Sequence, residues 1–467
     1  MDKKIITLFI CITVLFTTAF SQEGTEDDSV QISEDTTIVY AQPDLRHGII
    51  AFGEINLMNI LLTGYNRVVR KMDYANVSLE SMWYNLSHPW VWDQDEFYIN
   101  TIGHPYQGAH YYTAGRANGL DFWASLGLTF YGSLTWEYLL ETETPSYNDL
   151  ILTTVSGAMF GEVLHRVYLL LEDDFPYLAW IVSPQAALNR FVLGERSPKE
   201  NGDLFALYGS VGPSFMLSSI KSEGNNNNLS PFNKQFGGKI SVRIVYEDPY
   251  AHNTKVPLDC FDIQGDFMIS PGHYFIAFSG IEDLFSWQLD LKNDTTFAVT
   301  LLYDNIFSTD MNYSNNSLGV SLFRRRNELL WNAHLSAAFI GGSDYYYTFV
   351  VDDRSSSIDG SEQRLYDIGI GATAKAEVRY QHPVIGTFFA SGVSSLFYTL
   401  PHSVPDDGSD GWNFIWTLNF GYEHQIYKGI GAGISCFIYN KHGFYDSADN
   451  VDQWHSHFST YVSYKLK

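Results

Sequence analysis

Cysteine is scarce in this chain, and its scarcity excludes several kinds of protein. There are three cysteines in 467 residues, and Cys11 lies in an apolar N-terminal run that we expect to be removed. Only Cys260 and Cys436 then remain, which is too few for a disulfide framework and leaves no metal-type Cys spacing. An exported chain could oxidise these two cysteines, so the sequence leaves their pairing open.

Basic residues are also few. The chain has 28 Lys and Arg against 53 Asp and Glu, and a formal net charge of −25. A nucleic-acid-binding protein needs a basic face, so we expect no nucleic-acid partner. The acidic residues gather in segments such as "VVDDRSSSIDGSE" and "PDDGSDG". These segments lack the regular spacing of a calcium loop, and we interpret them as solvated loops.

Long apolar runs are missing beyond the N-terminus. No later stretch of 18 residues is wholly uncharged and uniformly apolar, as a simple membrane-spanning helix would be. The apolar run Ile5 to Phe20 follows two lysines and ends at small residues. This is the pattern of a secretory signal peptide, which we predict over residues 1–21. The polar, acidic segment 22–45 is predicted to be a disordered leader.

The second half of the chain is rich in alternating segments of strand length. From Tyr366 to Tyr380, every second residue is apolar or aromatic, and the residues between them are polar or small. Successive side chains of a strand point to opposite faces, so this period of two predicts strands. Comparable segments begin at Phe236, Phe261, Trp331 and Trp412.

The two faces of these strands predict a membrane barrel. Aromatic residues make up 16% of the chain and cap the apolar faces, whereas the other faces carry charges that a dry β-sandwich interior would not hold. The chain ends on an amphipathic segment, as outer-membrane barrels do, although its last residue is Lys467 rather than Phe or Trp. We predict a mainly β fold: an outer-membrane antiparallel β-barrel of roughly 12 strands over residues 200–467.

Residues 46–175 do not alternate, and we predict that they form an α-helical module. Helices are expected near residues 106–117 and 120–141, and a third after "PSYNDL", which contains good helix-start residues. Glycine weakens a helix by about 1 kcal/mol, so the Gly157-x-x-x-Gly161 spacing predicts close helix packing. We predict that the module packs in or under the barrel lumen as a plug. Spans of the inner membrane are a weaker alternative, because they would stall export of a barrel.

Polar residues within this module form a candidate site. Glu162 and Arg166 are four residues apart and share a helix face. Glu137 and Glu141 have the same spacing and like charges, which Arg116 could compensate. Two interpretations stay open: a buried ion-pair network that fixes the helices together, and a carboxylate–histidine site. The candidate cluster comprises His104, Arg116, Asp121, Glu137, Asn148, Asp149, Glu162, His165 and Arg166.

The same residues include one spacing that is typical of metal sites. Glu162-x-x-His165 has the spacing of di-iron helical bundles, but those need a second such pair and two further Glu residues. His104 and His110 are six residues apart and cannot share a helix face, so we expect neither a metal ion nor a cofactor. His104 precedes Pro105 and is expected at the start of a helix. No serine lies in a Gly-x-Ser-x-Gly turn, and phosphate-loop signatures are absent.

Several motifs of the module carry a family resemblance. In order, "NRVVR", "WDQDEF", "HPYQGAHYYTAGRANGLDFW", "GSLTWEY", "PSYNDL" and "GEVLHR" resemble the signature of the uncharacterised domain family 3943. The resemblance covers about Asn66 to Leu171 and implies an exported bacterial protein, often with a barrel after the domain. It implies no established activity. The family's motif positions fall on Trp92, Asp93, Asp95, His104, Tyr106, Arg116, Asn118, Gly119, Trp136, Glu137, Asn148, Asp149, Glu162 and Arg166.

Two classes of function are consistent with these features. The first is an outer-membrane barrel with a helical plug, acting in envelope structure, transport or binding of a small-molecule ligand. The second is a lipid-modifying outer-membrane enzyme, with Glu137, Glu162 and a histidine in a site open to the bilayer. In both cases we expect the bacterial outer membrane as the location. The expected partners are outer-membrane lipid and the barrel-assembly machinery.

Overall fold

A computed structural model of the chain describes residues 39–466 except 94, 201, 223–224, 291, 293, 310, 345–365, 401–402 and 405–408. The predicted signal peptide and the leader up to residue 38 lie outside the described residues. The disorder predicted up to residue 45 does not extend over residues 39–45. There Val39–Tyr40 (β1) pairs in parallel with Glu195–Arg196 (β2), and the first helix begins at Leu45.

The N-terminal module is helical, as the sequence indicates, and it continues past residue 175. Three π-helical turns, Asn66–Arg70, Ile99–Gly103 and Leu152–Ser156, adjoin its helices. The last of these joins two helices, so the third predicted helix is one continuous path that begins at the Ser146 cap. The helices are α1 (Leu45–Tyr65), α2 (Leu79–Ser87), α3 (His104–Ala117), α4 (Phe122–Leu139), α5 (Tyr147–Ile151), α6 (Gly157–Leu171), α7 (Pro176–Val182) and α8 (Pro184–Val192).

Glycine allows α3 and α6 to pack closely. A Cβ atom on Gly157 would lie 2.7 Å from the Cα of Gly108, and one on Gly161 would lie 2.6 Å from the Tyr112 ring. Both distances are too short, so a larger residue would push the helices apart. Gly127 in α4 has open space around it, and close packing does not explain it.

Helix α1 and the turn after it form a long apolar segment. Leu45–Arg70 is long and apolar enough to cross a membrane, by length and composition alone. The segment is not uniformly apolar, because Arg46, His47 and Glu54 interrupt it. Ile49 and Leu61 are both 62% exposed, so much of its apolar surface is uncovered.

The second half of the chain forms a closed antiparallel barrel of twelve strands, β3 to β14, which confirms the predicted architecture. Each strand pairs with the next, and β14 pairs with β3 to close the ring. The strands are β3 (Leu204–Ser222), β4 (Asn225–Tyr246), β5 (Phe261–Ser270), β6 (His273–Asp290), β7 (Thr295–Ser308), β8 (Asn312–Arg326), β9 (Leu329–Ser343), β10 (Gly369–His382), β11 (Gly386–Thr399), β12 (Gly411–Tyr427), β13 (Ile430–Tyr445) and β14 (Val451–Lys465).

The outward face of the barrel is apolar and has aromatic residues near both ends. On β12 the outward residues run from Trp412 to Tyr422, with Phe414, Leu418 and Phe420 exposed between them. At about 3.3 Å per residue and a strand tilt of about 40°, this face spans roughly 25 Å along the barrel axis. That height equals the apolar band of outer-membrane barrels, whose aromatic girdles lie at the two membrane interfaces.

Side chains from opposite walls meet inside the lumen. Arg243 of β4 lies 3.1 Å from Glu377 of β10, and these strands are on opposite sides of the ring. Phe275 of β6 packs against Phe437 of β13, with ring centroids 5.7 Å apart. The described side chains therefore cross the lumen at two levels, one polar and one apolar.

The helical module packs against the outside of this barrel. Phe160 of α6 contacts Tyr303 of β7, with ring centroids 4.9 Å apart. The next residue, Asp304, pairs inside the lumen with Lys375 of β10, 2.6 Å away. Because successive residues of a strand point to opposite faces, Phe160 lies on the outer wall.

Contacts at both ends of the module agree with this placement. Arg166 lies over the ring of Tyr246 on β4, 5.5 Å from its centroid, and Tyr246 is three residues from the lumen residue Arg243, hence on the opposite face of the strand. At the other end Phe97 packs edge-on against Tyr366, whose neighbour Asp367 bonds with lumen residues. The predicted position in or under the lumen is therefore wrong, since the module covers the outer wall from β4 to β9.

The two remaining cysteines are both free, which answers the question that the sequence left open. Cys260 directly precedes β5, and Cys436 lies within β13. Both are buried. Because they are free, neither holds the fold together covalently.

Candidate functional site

The predicted site residues fall into two separate clusters in the module. We call the first the arginine cluster, and it comprises Arg116, Glu162, His165, Arg166 and Glu200. We call the second the aspartate–histidine cluster, and it comprises Asp93, Asn100, His104, Asn148 and Asp149. Three of these residues, Asp93, Asn100 and Glu200, were not among the predicted site residues.

The arginine cluster joins α3, α6 and the linker before the barrel. Glu162 accepts hydrogen bonds from Arg166 Nε at 2.7 Å and from Arg116 Nε at 2.9 Å. Glu200 pairs with both arginines, and its oxygen lies 2.6 Å from Arg166 Nη2. Two buried cations thus face two carboxylates, an arrangement that locks elements together because removing one partner leaves a buried charge unpaired.

Glu200 is the member of this cluster that the sequence did not reveal. Burial opposes its charge, but the hydrogen bond from His165 and the charges of Arg116 and Arg166 outweigh burial and lower its pKa. Glu200 belongs to the segment "SPKENGD" between the two halves of the chain. No local pattern there marks it, because its partners are more than thirty residues away.

The aspartate–histidine cluster is built from an extended segment, the π-helical turn Ile99–Gly103 and the first residues of α3 and α5. His104 is the first residue of α3, with Pro105 after it. Asn148 and Asp149 lie in the first turn of α5, where the Ser146 side chain accepts from the Asp149 amide. The Ser146 cap satisfies an amide that the start of α5 leaves unpaired, whereas the His104 amide donates to Ile99 of the preceding π-helical turn.

The Asp93 carboxylate is held by two amide side chains. Its Oδ1 accepts from Asn148 Nδ2 at 2.6 Å and from Asn100 Nδ2 at 3.0 Å. Asn148 Nδ2 also donates to Asp149 Oδ1 at 3.0 Å. Asn100 reaches the barrel as well, through the hydroxyl of Tyr366. The cluster therefore lies where the module contacts one end of the barrel wall.

Glu137 and Glu141 do not use Arg116, which contacts Glu162 and Glu200 instead, so that predicted compensation is wrong. Glu137 accepts a hydrogen bond of 2.7 Å from the Ser146 amide. Glu141 accepts one of 2.9 Å from the Trp136 indole. Neutral donors thus stabilise these two carboxyl groups.

Asp121 belongs to neither cluster. Its carboxylate caps α4 by accepting a 2.8 Å hydrogen bond from the Ala124 amide, and its side chain is exposed. His165 lies 3.3 Å from Glu200 and beside the arginines. The Glu162-x-x-His165 spacing therefore serves an ion-pair network, and both of its side chains already have protein partners.

Comparison with known proteins gives a family for the module. Residues 89–182 match the family model described as "Domain of unknown function (DUF3943)". This confirms the resemblance seen in the sequence. The matched range contains the whole aspartate–histidine cluster and every member of the arginine cluster except Glu200. No curated protein matches the chain.

The barrel is similar to solved porins and channels. A KdgM porin matches with 7% identity and a TM-score of 0.21, over 53% of this chain and 98% of the porin. An outer membrane channel from Pseudomonas putida F1 matches with 12% identity and a TM-score of 0.27, over 58% of this chain and 100% of the channel. The TodX monoaromatic hydrocarbon channel matches with 10% identity and a TM-score of 0.23, over 62% of this chain and 94% of the channel.

Proposed function

We propose that this chain is an outer-membrane protein whose helical module lies in the bilayer against the barrel wall and binds a membrane lipid there. One observation carries the proposal: Phe160 of the module packs on Tyr303, an outward-facing residue of the barrel. A barrel places its outward face in lipid. A module on that face therefore meets lipid, and a plug would meet solutes.

The uncovered surface of the module supports contact with lipid. Ile49 and Leu61 on α1 are largely exposed, and Phe191 on α8 is 88% exposed. Soluble proteins rarely expose large apolar patches, whereas lipid tails cover them without cost. Helices satisfy their own backbone hydrogen bonds and so tolerate a bilayer.

Aromatic residues beside the aspartate–histidine cluster indicate where a lipid headgroup would lie. Trp90 and Trp92 both pack against Tyr147, with ring centroids 5.7 and 5.5 Å away, and Trp90 donates to the Tyr138 hydroxyl. Trp and Tyr concentrate at the headgroup level of membranes. A bound lipid would thus place its headgroup at the cluster and its tails along the exposed helices.

The lipid content of the purified protein tests this proposal. We would extract lipids from the detergent-purified wild type, from Asp149→Asn, and from the control Asp121→Asn, and analyse them by mass spectrometry. We expect a lipid enriched with the wild type and the control, and roughly tenfold less with Asp149→Asn, as expected for losing about 1.4 kcal/mol of polar contact. Heat-dependent gel migration would verify that all three fold.

The same samples separate binding from chemistry. A lipid species in the envelope that appears only with the wild type and the control would support the lipid-modifying enzyme. Identical lipid profiles in all three proteins would overturn a lipid function at this cluster.

Solute binding in the lumen is a second candidate function. A cavity of about 490 Å³ opens at the barrel end where β3 starts and β14 ends, within the usual size of ligand pockets. Lys239 and Arg243 face Asp262 and Asp266 around it. Such opposed charges suit a small polar solute. Solute uptake that depends on Lys239 but not on Asp149 would favour this function.

A further inference from the structure

We propose that the aspartate–histidine cluster binds a divalent transition-metal ion through His104 Nε2 and the carboxylates of Asp93 and Asp149. One ligand atom from each of these three side chains lies within 4.8 Å of the other two. Metal–nitrogen and metal–oxygen distances of about 2.0–2.2 Å require ligand atoms no more than about 4.4 Å apart, so small side-chain shifts are enough for one ion to contact all three atoms.

The orientation of His104 is the second observation. Its Nδ1 lies 3.3 Å from the hydroxyl of Thr153, which fixes the ring. Its Nε2 is buried and faces two carboxylates, with Asp149 Oδ1 3.2 Å and Asp95 Oδ2 3.9 Å away, and neither contact has the geometry of a hydrogen bond. A metal-binding histidine is typically held in this manner, with one nitrogen anchored and the other directed at the site.

The two carboxylates are held from behind by amide groups. Asn148 donates to both Asp93 and Asp149, and Asn100 donates to Asp93. Donors of this kind orient carboxylate ligands in metal sites. They carry no charge, so they orient the carboxylates without neutralising them, and a bound cation would do so. His104 alone can supply at most one positive charge.

The ligand types indicate the class of ion. One imidazole nitrogen and two carboxylate oxygens suit ions such as Zn²⁺ and Mn²⁺, whereas Ca²⁺ and Mg²⁺ prefer oxygen alone. In the sequence, the pairs His104 with His110 and Glu162 with His165 predict no metal site. Asp93 lies eleven residues before His104 and Asp149 on a later helix, and the fold brings the three together.

Metal analysis of the purified protein tests the inference. Untagged, detergent-purified protein would be stripped with a chelator, dialysed against Zn²⁺ or Mn²⁺, and measured by elemental mass spectrometry and titration calorimetry. We expect about one ion per chain. In His104→Gln and Asp149→Asn we expect affinity to fall by roughly 100-fold or more, since loss of an outer-shell group alone costs about 10–100-fold.

Two variants serve as matched controls. His110→Gln replaces another histidine of α3, which bonds Gln185 outside the cluster, and Asp121→Asn replaces the exposed cap of α4. Both should bind metal like the wild type. The visible spectrum of bound Co²⁺ gives a second measurement, because it depends on the ligand atoms. His104→Gln removes a nitrogen ligand and should change the spectrum, whereas the two control variants should leave it unchanged.

Three results would overturn the inference. The first is a wild type that retains no Zn²⁺ or Mn²⁺. The second is a correctly folded His104→Gln variant that binds the metal ion with the same affinity as the wild type. The third is a wild type that prefers Ca²⁺ and binds it equally well after His104→Gln. The inference concerns the same cluster as the proposed lipid function and is measured on delipidated protein. Lipid binding and metal binding can therefore fail independently.

Discussion

Ser156 Oγ of the helical module donates a 3.0 Å hydrogen bond to Asn316 Oδ1 of β8 from outside the barrel. The neighbouring Asn315 faces the other way and accepts from Thr373 within the lumen. A single step along β8 thus separates the surface that meets the module from the surface that lines the lumen.

This relationship predicts a crosslink. With Ser156→Cys and Asn316→Cys together, a disulfide should form in the oxidising envelope, because the two side chains are already in contact. The measurement is gel migration with and without reductant, after cleavage at a protease site inserted between module and barrel. Ser156→Cys with Ser317→Cys is the control, since Ser317 bonds Ser336 in the lumen. A crosslink only in the control pair would place the module inside.

Gly108→Ala should destabilise the module. The added Cβ would overlap the carbonyl oxygen of Thr153, and overpacking of this kind typically costs about 1–3 kcal/mol. Gly127→Ala is the control, because it has open space and should gain about 1 kcal/mol of helix propensity. Thermal unfolding in detergent would measure both. Equal losses in the two variants would contradict a close α3–α6 contact.

Glu200 should make the stability of the module depend on pH. Its folded-state pKa is lowered from the ordinary value of 4.5, so the carboxylate stabilises the fold above that value. This stabilisation is lost as pH falls towards the folded-state pKa. The wild-type melting temperature should hold down to about pH 4.5 and drop as the pH falls below that value, and the drop should be smaller in Glu200→Gln. Identical pH profiles would refute this role of Glu200.

The pair Arg243 and Glu377 should restrict the lumen. Replacing both residues with Ser removes the contact between opposite walls and the associated bulk. Single-channel conductance in planar bilayers should therefore rise above that of the wild type, since pore width and charge govern passage. Arg326→Ser is the control, because Arg326 is exposed at the end of β8. Unchanged conductance in the double variant would mean that other contacts close the lumen.

Much of the architecture is readable from sequence because it depends on local periodicity. The alternation from Tyr366 to Tyr380 predicts a strand, and β10 covers most of that range. The spacing of Glu162 and Arg166 predicts a contact within one helix turn, and the two are ion-paired. The cap at Ser146 likewise marks the start of α5. Each of these features involves residues within a few positions of one another.

Features that join distant parts of the chain were missed or misjudged. An apolar helix surface with isolated charges is compatible with a plug in the lumen and equally with a module on the outer wall of the barrel. The sequence therefore predicts the wrong position for the module. Arg116 was assigned to Glu137, although it contacts Glu162 and Glu200. Glu200 itself lies in a segment without any recognisable pattern.

The sequence alone therefore determined a β-barrel of roughly twelve strands, a helical module before it and the residue types of a polar site. Periods of two and of about 3.6 residues express which face of a strand or helix is apolar. They do not say what that face meets. Only the tertiary structure decided that the module covers the outer wall, that Arg243 meets Glu377, and that His104 is directed at Asp93 and Asp149. Such contacts join residues that lie far apart in the sequence, and local sequence patterns do not encode them.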